Sequence, residues 1–401
     1  MNRTVLISGA SIAGPSLAYW LSRYGFQLTV VEKASALRGG GYAVDIRGTA
    51  LSVAGRMGLI PRLREAHVGT QKLSFLAPDG TLIGSVTPET LSGDPENQDL
   101  EVRRGDLAEI LYAPIRDRAE FVFNDSIATL DDDGDRVQVT FDSGARRDFD
   151  LVIGADGLHS RTRRLVFGPE EPFHRYLGYT FALFSLPNDF GLSHEGVLWN
   201  VPGKAAVLYA HEPDDRVFGL LAFAREDPPF DAFRDPQAQR DLVAAMFPER
   251  AWHVPRLVAA MREADDLFFD IVSQIRMPAW SRGRVALAGD AAHATSFQSG
   301  QGSSVALVGA YILAGELASH ADHADAFASY EKKMRPFAER NQDLVSAGGW
   351  VVTPSTQEML DARNQVLASA DPGALRGDEA RAAHNSLVLP EYGSVSPSGG
   401  R

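Results

Sequence analysis

Residues 4–32 constrain this chain more than any other stretch. Thr4-Val5-Leu6-Ile7 is a short apolar run of the length of a buried strand. Gly9-Ala-Ser11-Ile-Ala-Gly14 follows, then a helix-forming run from about Pro15 to Tyr24. Proline is tolerated in a first helical turn, and Gly25 supplies a stop. Gln27 to Val31 is a second apolar run, and Glu32 ends it, 23 residues after Gly9. Strand, glycine turn, helix, strand and acid in this register form a βαβ dinucleotide unit. Gly9 permits the tight turn and Gly14 permits close contact between helix and strand. The Glu32 carboxylate can accept from ribose hydroxyls. Ser11 stands where the middle glycine is usual, and it is small enough to let a pyrophosphate approach.

Two more runs end in an acid beside a glycine. Val285 to Ala288 runs into Gly289-Asp290, followed by a loop with Gly300 and Gly302 and a helix rich in Val, Leu and Ala. Asp150-Leu-Val-Ile153 runs into Gly154-Ala-Asp156-Gly157, followed by Ser160 and Arg163 at a helix start. A carboxylate at the carboxyl edge of a sheet lies where α/β proteins bind ligands. There it can accept from the hydroxyls of a sugar or a ribityl chain. Glycines in the following loop let backbone N–H groups approach a ligand, and a helix start behind them favours negative charge. Either stretch taken alone is equally the strand–turn–helix of any α/β fold. Asp156 can hold arginines of neighbouring loops, and Arg163 can sit near phosphate. Arg38, in a glycine-rich loop, and Arg47 can reach phosphate or substrate, or be solvated. Arg104 opens a helix, where its charge opposes the dipole, so it calls for an anion or a carboxylate partner, or else is solvated.

A length of 401 residues suggests two or three domains. The net charge of -13 disfavours nucleic acid and anionic membrane as partners. The chain has no cysteine, which excludes disulfides, thiolate metal sites and cysteine nucleophiles. Residues 4–22 carry no charge and follow Arg3, as a signal peptide or a short span would. The glycine fingerprint accounts for that run instead, so no membrane span and a cytoplasmic location are expected.

From Phe173 to about Arg276 the texture changes to strand-like runs split by Asn, Asp, Pro and Gly, reading as a mostly antiparallel sheet. Leu73 to Val86 reads as a hairpin turning at Pro78-Asp79-Gly80. Phe121 to Phe149 reads as a small β meander. Leu344 to about Ser369 reads as amphipathic helix, and the Gly-, Ser- and Pro-rich stretch from Asp371 as loosely ordered. Val207, Tyr209 and His211 share one face of a strand by the period of two and can line a pocket or belong to the core. No Ser/His/Asp set and no helical His pair has usable spacing, so no metal is expected. The expected fold is α/β: a Rossmann-like dinucleotide-binding domain, a second, mostly antiparallel β-sheet domain and a C-terminal helical segment. The first comprises residues 1–72, 100–172 and 276–345, and the second 73–99 and 173–275. Residues 346–401 form the C-terminal helix and tail.

The ordered set Gly9…Glu32, Asp156-Gly157 and Gly289-Asp290 resembles the flavin-dependent aromatic hydroxylases of the para-hydroxybenzoate hydroxylase type. Within them the chain looks closest to single-component monooxygenases related to tetracycline-inactivating and aromatic-polyketide-tailoring enzymes. The resemblance covers about residues 1–345. It implies FAD as cofactor, NADPH or NADH as transient reductant, and an aromatic small-molecule substrate. In that chemistry, reduced FAD and O2 give a C4a-hydroperoxide that hydroxylates the substrate, so no protein nucleophile or metal is required. By position it assigns Gly9, Ser11, Gly14, Glu32, Lys33, Arg47, Arg104, Asp156, Asp290, Gly300 and Gly302 to the cofactor. Tyr209, His211, Phe297 and Gln298 would line the substrate, with His211 the candidate base. Relatives often carry proline at Ser296 and Phe297, which bears on the shape of the flavin loop. A monomer or homodimer is expected. A reductase of the same fold, or a non-catalytic flavin or ligand binder, is the competing reading.

Overall fold

The computed structural model describes residues 3–393 except 38, 40, 95–97, 212–214, 346–351 and 370–376. Arg38 therefore lies outside the described residues. The first lobe is built on a six-stranded sheet ordered 281–282, 285–287, 151–154, 4–8, 27–32, 120–123. All its neighbours run parallel except the short 281–282 hairpin strand. The three strands that end near Gly9, Asp156 and Asp290 are thus adjacent and end at one edge. Phe121-Val-Phe, placed in the meander by its alternation, instead forms the parallel edge strand beside Gln27–Glu32. The meander keeps three strands, 127–132, 137–141 and 146–149.

Helix Ala13–Arg23 packs on strands Thr4–Ser8 and Gln27–Glu32, and helix Gly302–Ser319 packs on that helix. The second is apolar on every side because it is enclosed on every side. It is long and apolar enough to cross a membrane, yet most of it is buried in the fold. Residues 4–22 are likewise spent on a buried strand and helix of this lobe.

The second lobe is a seven-stranded sheet ordered 268–275, 174–187, 216–224, 204–210, 195–201, 72–76, 82–86. It is antiparallel except where Glu195–Val201 meets Lys72–Leu76. The hairpin at 72–86 joins this sheet at its far edge. One face, with Phe184, Trp199 and Phe223, is covered by helices Pro236–Met246 and Val254–Glu263. The other, with Phe75, Tyr179, Phe181 and Val272, takes Tyr42 and Phe297 from the first lobe. A two-stranded ribbon, Ala43–Ile46 with Leu100–Arg103, lies between the lobes.

The C-terminal stretch differs from its expectation in two ways. The charged helix ends at Asp343, residues 352–356 are irregular, and a separate helix spans Gln357–Ala368. Its N-cap Thr356 explains the break, accepting from the Met359 N–H at 3.2 Å. Residues 377–393 are packed rather than loose. Helix Asp378–His384 buries His384, and Arg381 reaches Asp99 at 2.7 Å and Asp94 at 3.2 Å. Leu387 and Pro390 carbonyls accept from Thr49 and Arg56 at 3.0 and 3.1 Å. Composition missed this because the anchoring groups are single residues spaced along polar chain.

Candidate active site

The nucleotide end is organised by Glu32. Its two oxygens accept the Ala10 and Ala34 N–H groups, each at 2.9 Å, which fixes the carboxylate beside the glycine turn. Gly9 has φ 108°, and a Cβ there would lie 2.4 Å from the Ala155 carbonyl oxygen. A Cβ on Gly14 would lie 1.9 Å from the Gly9 oxygen, so only glycine allows the turn and helix to meet. Lys33 is exposed beside them. Arg104 reaches back from its helix start and donates to Ser11 Oγ at 3.1 Å.

Asp290 sits at the start of a short helix, behind Gly289 at φ 60°. Burial pushes its carboxyl above the usual range, with Arg104 opposing and Asp270 adding. Among the described residues no hydrogen bond reaches this carboxylate. A Cβ on Gly302 would come 3.7 Å from its Oδ1, so the loop backbone runs past it. Gly300 has φ 62°, and a Cβ there would stand 2.9 Å from Asp45 Oδ2. The same loop holds Ser296 at φ 91°, a value closed to proline, so its path differs from one built on prolines. The amide atoms of Gln298 and Gln301 are buried and lack partners among the described residues.

Arg47 is neither solvated nor free. It pairs with Asp45 at 2.8 Å, and its backbone N–H donates to Ser304 Oγ at 3.0 Å. Asp45 lies directly across the ribbon from Glu101. Burial, opposed by Arg47 and reinforced by Glu101, pushes the Asp45 carboxyl up to about 6.

The Asp156 segment holds the fold together instead of presenting charge. Asp156 accepts from the Thr162 N–H and hydroxyl, both at 2.9 Å, and from Ser160 Oγ. No arginine reaches it among the described residues. Arg163 is 0% exposed and is spent on the Ala291 carbonyl at 3.0 Å, the Leu158 carbonyl at 2.6 Å and Glu170. It ties the Asp156 and Asp290 segments together, and it does not sit where a phosphate could reach it.

An aromatic wall faces the flavin-side loop. Phe297 stacks on Phe181 with centroids 4.5 Å apart, and Tyr42 meets Phe297 edge-on at 5.8 Å. Phe268 closes the group against Tyr42 at 6.2 Å and Phe181 at 5.9 Å. A cavity of about 140 Å³, lined by none of these four rings, has Asp45, Arg47, Thr70, Glu101 and Tyr209 in its wall. The Tyr209 hydroxyl donates to Glu101 at 2.6 Å, and Thr70 donates to the same carboxylate at 2.7 Å. His211 is buried between the rings of Tyr209 at 4.9 Å and Phe218 at 5.2 Å and does not line this cavity. Tyr42, Asp45, Glu101 and Phe268 were not singled out from sequence. The apolar run broken by one acid, Phe268-Phe-Asp270-Ile-Val, is a strand signal there, and nothing local points to its neighbours.

A protein family described as an FAD binding domain matches residues 2–345. The chain belongs to this family. It is 46% identical over 346 residues to an uncharacterized protein of Mycobacterium tuberculosis, covering 86% of this chain and 93% of that one. A flavin-dependent monooxygenase of Legionella longbeachae is 33% identical over 399 residues, covering 98% and 99%. The crystal structure of the tetracycline destructase Tet(55) superimposes with a TM-score of 0.82 at 36% identity, covering 98% and 99%.

FAD is therefore the cofactor of this fold, and the residues present fit it. A half-buried carboxylate with no donor among the described residues, Asp290, suits a polyol chain whose hydroxyls are donors. Glu32, fixed by the Ala10 and Ala34 N–H groups at the end of its strand, would hold the ribose of the adenosine end. Between them Arg104, anchored on Ser11, offers a cation to the pyrophosphate.

Proposed function

We infer that the protein is an FAD-dependent monooxygenase that takes electrons from NADPH or NADH and inserts one atom of O2 into an aromatic or polycyclic small molecule. Bound FAD supplies the reduction of O2 and the oxygen transfer. The chain's residues hold, orient and desolvate. Glu32 takes the adenosine ribose, Gly9 and Ser11 leave room for the pyrophosphate, and Arg104 neutralises it. Asp290 accepts from the ribityl hydroxyls. Backbone at Gly300 and Gly302 would hold the ring system, with Arg47, paired to Asp45, next to that loop. Phe297, Phe181, Tyr42 and Phe268 offer flat apolar surface to a flat ring and exclude water from it.

One observation carries this reading: the loop with Gly300 and Gly302 runs between the unsatisfied Asp290 carboxylate and the aromatic wall. A cofactor held on one side thus meets a substrate held on the other. The likeness to a tetracycline destructase favours a polycyclic substrate. The proton of a substrate phenol is better accepted by Asp45 than by His211. Asp45 lines the cavity and its carboxyl titrates at about 6, near working pH, whereas His211 is enclosed by aromatic rings.

The test is O2 and NADPH consumption by the FAD-loaded protein against a panel of phenols and polycyclic ketones. A substrate that accelerates both supports the monooxygenase. Substrate reduction without O2 uptake would make it a reductase, and no NADPH turnover with any of them a binder.

A further inference from the structure

The seam between the lobes contains a charge cluster that joins Glu170, the partner of Arg163, to Asp270 through His159. His159 lies on the loop after strand Leu151–Gly154 of the first lobe. Its Nδ1 is 2.8 Å from Glu170 and its Nε2 is 3.2 Å from Asp270, which lies on strand Phe268–Ile275 of the second. A neutral imidazole has one N–H and would turn a lone pair on one of these carboxylates. Only the imidazolium satisfies both. Arg163 and His174 complete the charged and titratable surroundings, and Phe233 packs on the His159 ring at 5.6 Å. Burial keeps His174 below the usual histidine range, so it adds no competing cation.

The strand held this way is an edge strand, paired on one side only with His174–Pro187. Edge strands open at lower cost than central ones. Asp270 and Phe268 lie on the same face by the period of two, and that face is turned to the first lobe. Pinning Asp270 therefore fixes Phe268 against Tyr42.

We propose that His159 is a positioning residue: it latches the strand carrying Asp270 to the nucleotide-binding lobe and so holds Phe268 in the aromatic wall. The latch rests on the geometry alone, and its bearing on substrate placement rests on the monooxygenase reading. The paired carboxylates, working against partial burial, raise the His159 imidazole to about 9. A raised histidine stabilises fully below its ordinary value near 6.5, and that contribution is lost as pH rises through about 9.

Hydrogen–deuterium exchange of the peptide spanning 268–275, in the FAD-loaded full chain and corrected for intrinsic rates, tests this at pH 7.5 and pH 10. Protection in the wild-type chain should fall about tenfold between the two. His159→Gln should show that loss already at pH 7.5, and Asp270→Asn should match it. His159→Arg, a cation at both pH values, should keep wild-type protection at both. Wild-type protection in the glutamine variant at pH 7.5, or the same alkaline loss in the arginine variant, overturns the latch. The comparison reads equally well on chain that has not taken up FAD, so failure of the latch and failure of the cofactor reading are separately visible.

Discussion

At the residue scale, the acid that matters most is the one to which no described residue donates a hydrogen bond. Asp290 is costly to bury, and Arg104 offsets only part of that cost. Donors arriving from a ligand recover the rest, so Asp290→Ala should weaken FAD binding roughly 10- to 100-fold, the worth of a charged hydrogen bond or two. Fluorescence titration of the apoprotein with FAD checks this, and unchanged affinity would remove Asp290 from the cofactor site. Asp45 makes the second prediction. As a base it must be ionised, so substrate-dependent turnover should rise with pH through about 6 and level off above it. Asp45→Asn should lower the plateau by roughly 10²-fold and abolish that acid limb. A limb that survives in the variant assigns the base elsewhere.

The residues legible in the sequence are those whose role is local. Gly9, Gly14 and Glu32 act on backbone within one βαβ unit, and their spacing alone defines them. Asp156 and Arg163 read as ligand groups for the same reason, but tertiary partners decide them: Thr162 holds the Asp156 carboxylate, and Glu170 and the Ala291 carbonyl take the terminal nitrogens of Arg163. Tyr209 and His211 share a face as the period requires. Which of them meets the cavity depends on Glu101 and Phe218, residues over a hundred apart in the chain.

At the scale of elements, the packed C-terminal segment behaves as a strap with a built-in acid sensitivity. His384 is 1% exposed, both ring nitrogens lack partners among the described residues, and Gly48 is needed to admit its backbone. Burial, aided by the charges of Arg47 and Arg381, depresses its imidazole to about 3. The unfolded chain takes up this proton near 6.5 and the folded chain does not. Stability is therefore full above 6.5 and falls as pH drops toward about 3. At pH 5 the loss is roughly 2 kcal/mol. Limited proteolysis should release the segment 377–393 faster at pH 5 than at pH 8, and His384→Leu should remove most of that difference. Equal acid sensitivity in the variant would clear His384 of the effect. Elements with strong periodicity, such as Thr4–Ser8 and Gly302–Ser319, were readable in advance. Glu120–Phe123 was not, because a four-residue edge strand looks the same in a meander and in a parallel sheet.

At the scale of the whole molecule, one lobe holds a nucleotide at the ends of parallel strands, and the other turns a sheet face toward it. The α/β class and the antiparallel character of the second sheet follow from glycine–acid signals and period-two runs. How the two meet does not follow from them. The face of the second sheet that carries Phe181 and Val272 is chosen by Tyr42 and Phe297 across the seam, while Phe184 and Trp199, equally apolar, turn to the helices. The central claim is that this seam holds FAD for oxygen chemistry, and flavin absorbance of the reconstituted protein under anaerobic NADPH, then on admission of O2, tests it most directly. Tight FAD uptake, bleaching that an aromatic substrate accelerates, and return of colour with O2 consumed are the expected results. A folded protein that stays colourless with excess FAD, or whose bound flavin neither bleaches with NADPH nor recovers with O2, would contradict it.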